Sequence, residues 1–208
     1  MNPVKIIQSI PAQVTLIAVS KTRSIEEIHE MAKLGISTFG ENRVQELKQK
    51  YDPAYHWHMI GHLQRNKVKD VVPLADMIQS LDSLPRAEEN EKQCAKIDKV
   101  MDVLIEVNSS KEASKSGVAP EEALSFLAVC MSFPHLRVRG LMTIGPNIDD
   151  QEQIKACFTS VYQLYQEAQA RWPQIDTLSM GMSGDYEIAI ACGANMIRLG
   201  TILFGERN

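Results

Sequence analysis

The chain has 208 residues, 44% of them hydrophobic and 23% charged, with a formal net charge of −4. That is globular composition with enough chain for a sizeable core, and its acidic balance argues against a surface built for nucleic acid or anionic membrane. No apolar stretch approaches the roughly 20 residues of a membrane span, Met1-Asn2-Pro3-Val4-Lys5 lacks the apolar core of a signal peptide, and the separated Cys94, Cys130, Cys157 and Cys192 give neither a zinc pattern nor a disulfide framework, so a cytoplasmic protein with reduced thiols is expected.

The first strong signal is a strand over residues 16–20, an apolar run that emerges at Lys21-Thr22. A helix follows over 24–34, with Ser24 and Glu27 as a capping box and Gly35 as its stop. A strand at 38–40 leads into a helix at 43–50, and a strand at 57–60 leads to Arg65-Asn66-Lys67-Val68-Lys69, the start of a helix with a solvated basic face or, as the alternative, an anion contact. Strand 77–80 precedes a helix over 83–97, whose Glu88, Glu89, Glu91 and Lys92 form a solvated face. Strand 103–108 precedes a helix opened by Pro120, Glu121 and Glu122 and running to 130. Strand 138–142 precedes a helix over 151–171, strand 177–180 a helix over 185–192, and strand 196–199 closes the series.

Eight strands alternating with helices predict a parallel sheet of right-handed units. Eight units closing on themselves make a single α/β (β/α)8 TIM barrel, one domain over residues 1–208, near the lower size limit of that fold. The rival doubly wound sheet would show a G-x-G-x-x-G turn after the first strand, where this sequence reads Lys-Thr-Arg-Ser.

Barrels carry function at the C-terminal ends of their strands. Here those ends are Lys21, Gly40-Glu41-Asn42-Arg43, Gly61-His62-Leu63-Gln64-Arg65-Asn66-Lys67, Ser80-Leu81-Asp82, Asn108, Met142-Thr143, Ser179 to Asp185, and Arg198-Leu199-Gly200-Thr201. A lysine at such a mouth is either solvated or, if buried and neutral, able to form a Schiff base with a carbonyl. Ser183-Gly184-Asp185 precedes an apolar helix, so Ser183 is expected at a helix N-terminus, where free N–H groups accept phosphate. Gly200-Thr201 lets backbone approach a ligand closely. Both loops follow the two strands where barrels commonly place a phosphate. An amine and a phosphate cradle at one rim fit pyridoxal 5′-phosphate (PLP), with Arg198 within reach of its pyridine ring.

These residues together resemble the pyridoxal-phosphate homeostasis protein family, from about Leu16 to Arg207. The matching pieces are Ala18-Val19-Ser20-Lys21-Thr22, Phe39-Gly40-Glu41-Asn42-Arg43-Val44-Gln45-Glu46 and Trp57-His58-Met59-Ile60-Gly61-His62-Leu63-Gln64-Arg65-Asn66-Lys67. They continue with Val107-Asn108 followed by Glu112, Lys115 and Gly117, then Arg139-Gly140-Leu141-Met142, Leu178-Ser179-Met180-Gly181-Met182-Ser183 and Arg198-Leu199-Gly200-Thr201-Ile202-Leu203-Phe204-Gly205. The resemblance implies a barrel similar to the N-terminal domain of alanine racemase (fold type III). It implies Lys21 as the Schiff-base lysine, Ser183, Gly200 and Thr201 at the phosphate, Asn42 and Met182 beside the cofactor, and Arg198 facing the pyridine nitrogen. An arginine stays protonated and leaves that nitrogen unprotonated, which makes the ring a poor electron sink. The chain departs from the family in its short N-terminal helical segment, residues 3–10, which is expected to cover the barrel bottom less fully, and in Leu81, where the family usually carries valine.

Two functions share this cofactor. One is a PLP carrier that takes part in vitamin B6 homeostasis and could supply PLP-dependent apo-enzymes; the other is an amino-acid racemase. Racemisation by two bases needs a second acid/base opposite the lysine. In alanine racemase that is a tyrosine from a partner's additional C-terminal domain, and with this chain ending at Asn208 the carrier and a monomer are expected. Tyr51, Tyr55, Tyr162, Tyr165 and Tyr186 offer no obvious substitute. His56, His58 and His62 could suggest a metal, but a further ligand is not evident and rim histidines commonly serve as neutral hydrogen bonders. Gly181-Met182-Ser183-Gly184 is not the G-x-S-x-G elbow of a serine hydrolase.

Overall fold

The computed structural model describes residues 2–110, 112 and 115–206, so Arg207, the far end of the family resemblance, lies outside the described residues, as do Met1 and Asn208 at the ends of the expected domain. Eight parallel strands close into a barrel: β1 (Thr15–Val19), β2 (Thr38–Glu41), β3 (His56–Met59), β4 (Met77–Leu81), β5 (Met101–Val107), β6 (Leu136–Thr143), β7 (Thr177–Ser179) and β8 (Met196–Leu199). Each pairs with the next, and β8 closes on β1 with Leu16 opposite Ile197 and Ala18 opposite Leu199. The helices are α1 (Pro3–Ser9), α2 (Ile25–Lys33), α3 (Val44–Lys50), α4 (Val68–Val71), α5 (Leu84–Ala95), α6 (Pro120–Cys130), α7 (Gln151–Arg171), α8 (Tyr186–Ala191) and α9 (Thr201–Phe204).

Local chemistry sets the boundaries. Ser24 and Glu27 form the expected capping box, and Gly35 follows α2 with φ +93°, a conformation glycine adopts without strain. Asp150 caps α7 by accepting from the N–H groups of Glu152 and Gln153. The basic segment after β3 is a 3-10 turn, Arg65–Lys67, that leads into α4. β5 and β6 begin earlier than the apolar pattern predicts. Their extra residues include Asp102 and Arg137, which interrupt the pattern but are held in place, Asp102 pairing with both Arg137 and Arg139, and Arg139 also with Asp176. The short N-terminal segment packs beside the last unit, α1 against α9, with Ile6, Ile7 and Ile10 joining the core.

The main core lies between strands and helices, around the fully buried Trp57, Phe39 and Phe158. Each large side chain moved there from water contributes about 1.5–3 kcal/mol. Inside the barrel, alternate residues point inward. Ile17, Met77, Leu104, Met142 and Met196 form an apolar layer. Two residues further along the chain stand Val19, Gln79, Glu106 and Arg198 on their strands and Ile144 just past the end of β6, so the layer beneath the functional rim is partly polar and charged.

Candidate functional site

A cavity of about 270 Å³ opens at the C-terminal rim, lined by Val19, Lys21, Arg23, Met182, Ser183, Gly184, Arg198, Gly200 and Thr201. Six of the seven residues singled out in the sequence therefore meet in one place. The seventh, Asn42, stands apart, in two neighbouring cavities of about 200 Å³ each, one shared with Gly61, His62, Glu106, Asn108 and Lys115, the other with Arg43, Gln64 and Lys67. Asn42 can sit there because Gly61 has no side chain: a Cβ at that position would lie 2.4 Å from the Asn42 carbonyl oxygen.

Lys21 is half-buried at the end of β1, where the Ser20 N–H still bonds to the Gly40 carbonyl at 3.0 Å. Across the cavity, the expected position of Ser183 needs correction. The helix after β7 starts at Tyr186 with Asp185 at its N-cap, so Ser183 lies outside that terminus. Met182 and Asp185 close a tight turn, the Met182 N–H donating to Asp185 Oδ1 at 2.6 Å, and this turn swings Ser183 toward the next loop. Its Oγ accepts from the N–H groups of Gly200 (3.2 Å) and Ile202 (3.4 Å). Those donors belong to the unsatisfied first turn of α9. Ser183, Gly200 and Thr201 thus form one donor cluster shared by two loops, able to hold an anion, with an amine on the facing wall.

Arg198 forms the floor. It is 4% exposed and donates to Ser179 Oγ at 2.7 Å and to the Thr143 carbonyl at 2.8 Å. The chain continues inside the barrel: Ser179 Oγ donates to Gln79 Oε1 (2.7 Å), and Gln79 Nε2 donates to His58 Nδ1 (2.9 Å). Burial lowers the His58 imidazole to about 4, so it stays neutral and accepts at Nδ1. Burial likewise lowers Arg198 to about 10, with Glu106 and Asp185 pulling it back up, so the guanidinium remains a cation and a donor at neutral pH. Glu106 is raised to about 7, first by burial and then by Asp82. Its Oε2 and the Asn42 Oδ1 have no hydrogen-bond partner among the described residues.

The three histidines have separate surroundings. His56 is exposed near Asp76, His58 ends the interior chain, and His62 bonds to Ser116 and Arg86. Glu106, Gln79 and the interior role of His58 escaped the sequence analysis. Glu106 left a trace: an acid two residues after Leu104, following the apolar run Val103-Leu104-Ile105, must share the inward face of Leu104.

The sequence matches the family of the alanine racemase N-terminal domain over residues 2–208. It is 42% identical over 199 residues to a pyridoxal phosphate homeostasis protein of Helicobacter pylori, covering 93% of this chain and 88% of that protein. It is 41% identical over 205 residues to one of Vibrio cholerae, covering 95% and 87%. PipY of Synechococcus elongatus, solved with PLP bound, superposes with a TM-score of 0.89 at 34% identity, covering 97% of each chain. An alanine racemase of Clostridium difficile superposes with a TM-score of 0.83 over 99% of this chain and 55% of that one, at 15% identity, a likeness of fold alone.

Proposed function

This chain belongs to the pyridoxal phosphate homeostasis proteins, a family built on the alanine racemase N-terminal domain, and from that premise we propose that it holds PLP as a Schiff base on Lys21 and serves intracellular PLP homeostasis without efficient catalytic turnover. The observation that carries this is the meeting of Lys21, Ser183, Gly200, Thr201 and Arg198 around one cavity. When bound, PLP supplies an aldehyde that a lysine amine captures with loss of water, and a phosphate that needs donors. Lys21 provides the amine. Ser183, Gly200 and Thr201 provide the phosphate donors, Met182 flanks the cofactor, and Asn42 approaches it from the adjoining cavities. Arg198, a permanent donor, faces the pyridine nitrogen and disfavours its protonation, which weakens the ring as an electron sink.

The racemase alternative needs an acid/base opposite Lys21. Among the described residues no tyrosine lines the Lys21 cavity, and Tyr186 is packed into the core with its hydroxyl on Glu187. No described helix is long and apolar enough to cross a membrane. The protein acts as a single-domain cytoplasmic monomer, from which PLP passes to apo-enzymes. Borohydride reduction of the PLP-loaded protein followed by peptide mass mapping should place the adduct on Lys21; an adduct on another lysine would refute the assignment. Turnover of a panel of L-amino acids at ordinary enzyme rates would refute the carrier role.

A further inference from the structure

We propose that Glu46 and Lys50, one turn apart on α3, are positioning residues that set Lys21 for PLP capture by gripping the peptide groups on both sides of it; this rests on Lys21 being the lysine that holds PLP. The Lys50 side chain is 8% exposed. Its Nζ donates to the Ser20 carbonyl at 2.7 Å, to Glu41 Oε1 at 2.9 Å and to Glu46 Oε2 at 2.7 Å, which uses all three ammonium protons. Glu46 Oε2 in turn accepts the Thr22 N–H at 2.5 Å. The carbonyl before Lys21 and the N–H after it therefore both end on the same helix.

A bond on either side of one residue fixes the direction in which its side chain leaves the backbone. Thr22 supports this role. Its φ is +64°, in the left-handed region that a β-branched residue occupies only when its surroundings hold it there. Glu41 completes the grip by accepting from the Ser20 hydroxyl at 2.7 Å. Neither Glu46 nor Lys50 lines the Lys21 cavity, so they act through the backbone and touch no ligand. An ordinary helix-surface pair at this spacing would be solvated and would contribute little. This one is turned inward onto the strand end.

The test compares two ligands, PLP and 4-deoxypyridoxine 5′-phosphate, which keeps the ring and phosphate but has no aldehyde. Glu46→Leu removes the acceptor for Thr22. It should weaken PLP retention by about 10- to 100-fold, the scale of one charged hydrogen bond, while leaving the deoxy analogue within about twofold. Glu46→Gln, which keeps an acceptor oxygen, should recover most of the loss. Lys50→Met should behave like Glu46→Leu if it folds, and the Glu46 pair decides the matter if it does not. Equal weakening of both ligands would mean a general loosening and would overturn the proposal, as would no weakening of either. A wild-type protein that binds the analogue yet gives no borohydride-fixed PLP on Lys21 would instead overturn the assignment of Lys21 itself.

Discussion

Lys21 and Arg198 line the same cavity, yet the protein holds them in opposite ways. Lys21 is half-buried at a strand end, facing loops made of Ser183, Gly184, Gly200 and Thr201, with Met182 38% exposed beside them. Arg198 lies inside the barrel on a directed chain of hydrogen bonds through Ser179 and Gln79 to His58, residues at most 7% exposed that come from four different strands. The rim is assembled from small groups that can admit and release a ligand. The floor is a desolvated network in which each removed partner leaves another polar group stranded. Changes at the floor should therefore be felt as stability, and changes at the rim as binding.

The largest effect is expected from Arg198→Ala, which strips partners from Ser179 and Thr143 and leaves a void. It should cost about 3–5 kcal/mol of stability in a denaturant titration of the ligand-free protein. A cost under about 1 kcal/mol would erase the contrast between floor and rim. Next is Glu106→Gln, whose effect depends on pH. Burial raises Glu106 from 4.5 to about 7, so the folded protein binds this proton more tightly than the unfolded chain does. Its contribution to stability is complete below the unfolded value and is lost as pH rises through about 7. The substitution should therefore stabilise the protein near about pH 8, by up to about 3 kcal/mol, and do little near about pH 5. A melting-temperature gain that is the same at both pH values would contradict the burial of this acid. Gln79→Leu should cost about 2–3 kcal/mol by leaving the Ser179 hydroxyl proton without its acceptor and His58 Nδ1 without its donor, with no direct contact to any ligand. The smallest loss of stability belongs to the rim. Ser183→Ala should change the stability of the ligand-free protein by less than about 0.5 kcal/mol, while weakening PLP retention by about 1–3 kcal/mol, as measured by equilibrium dialysis. A Ser183→Ala protein that melts like Arg198→Ala would merge the two regions.

The barrel was legible because short apolar-rich runs recur between helical segments with turn chemistry at their ends, and the Ser24 box and Gly35 stop punctuate the first unit. β5 and β6 were read short because Asp102 and Arg137 look like loop residues until the pairing of Asp102 with Arg137 and Arg139 is seen. The rim was legible because strand ends are countable. What sequence order hides is which loop faces which. Ser183 was read as the start of its own helix, whereas its hydroxyl belongs to the first turn of the next, α9, seventeen residues on from Ser183 to Gly200. Asn42, which the resemblance groups with the cofactor residues, lines the adjoining cavities with Glu106 and Lys67. The α3 grip on Lys21 was also hidden, since helical spacing alone does not show that Glu46 and Lys50 bond to the Thr22 N–H and the Ser20 carbonyl.

Covalent retention on Lys21 is tested most directly by absorbance of the PLP-loaded protein beside its Lys21→Ala variant. The wild type should show a band near ~420 nm, the usual colour of a protonated lysine–PLP linkage, and the variant should lack it even where the phosphate cradle still binds the cofactor. A Lys21→Ala protein with an undiminished band, still fixed by borohydride, would contradict the account.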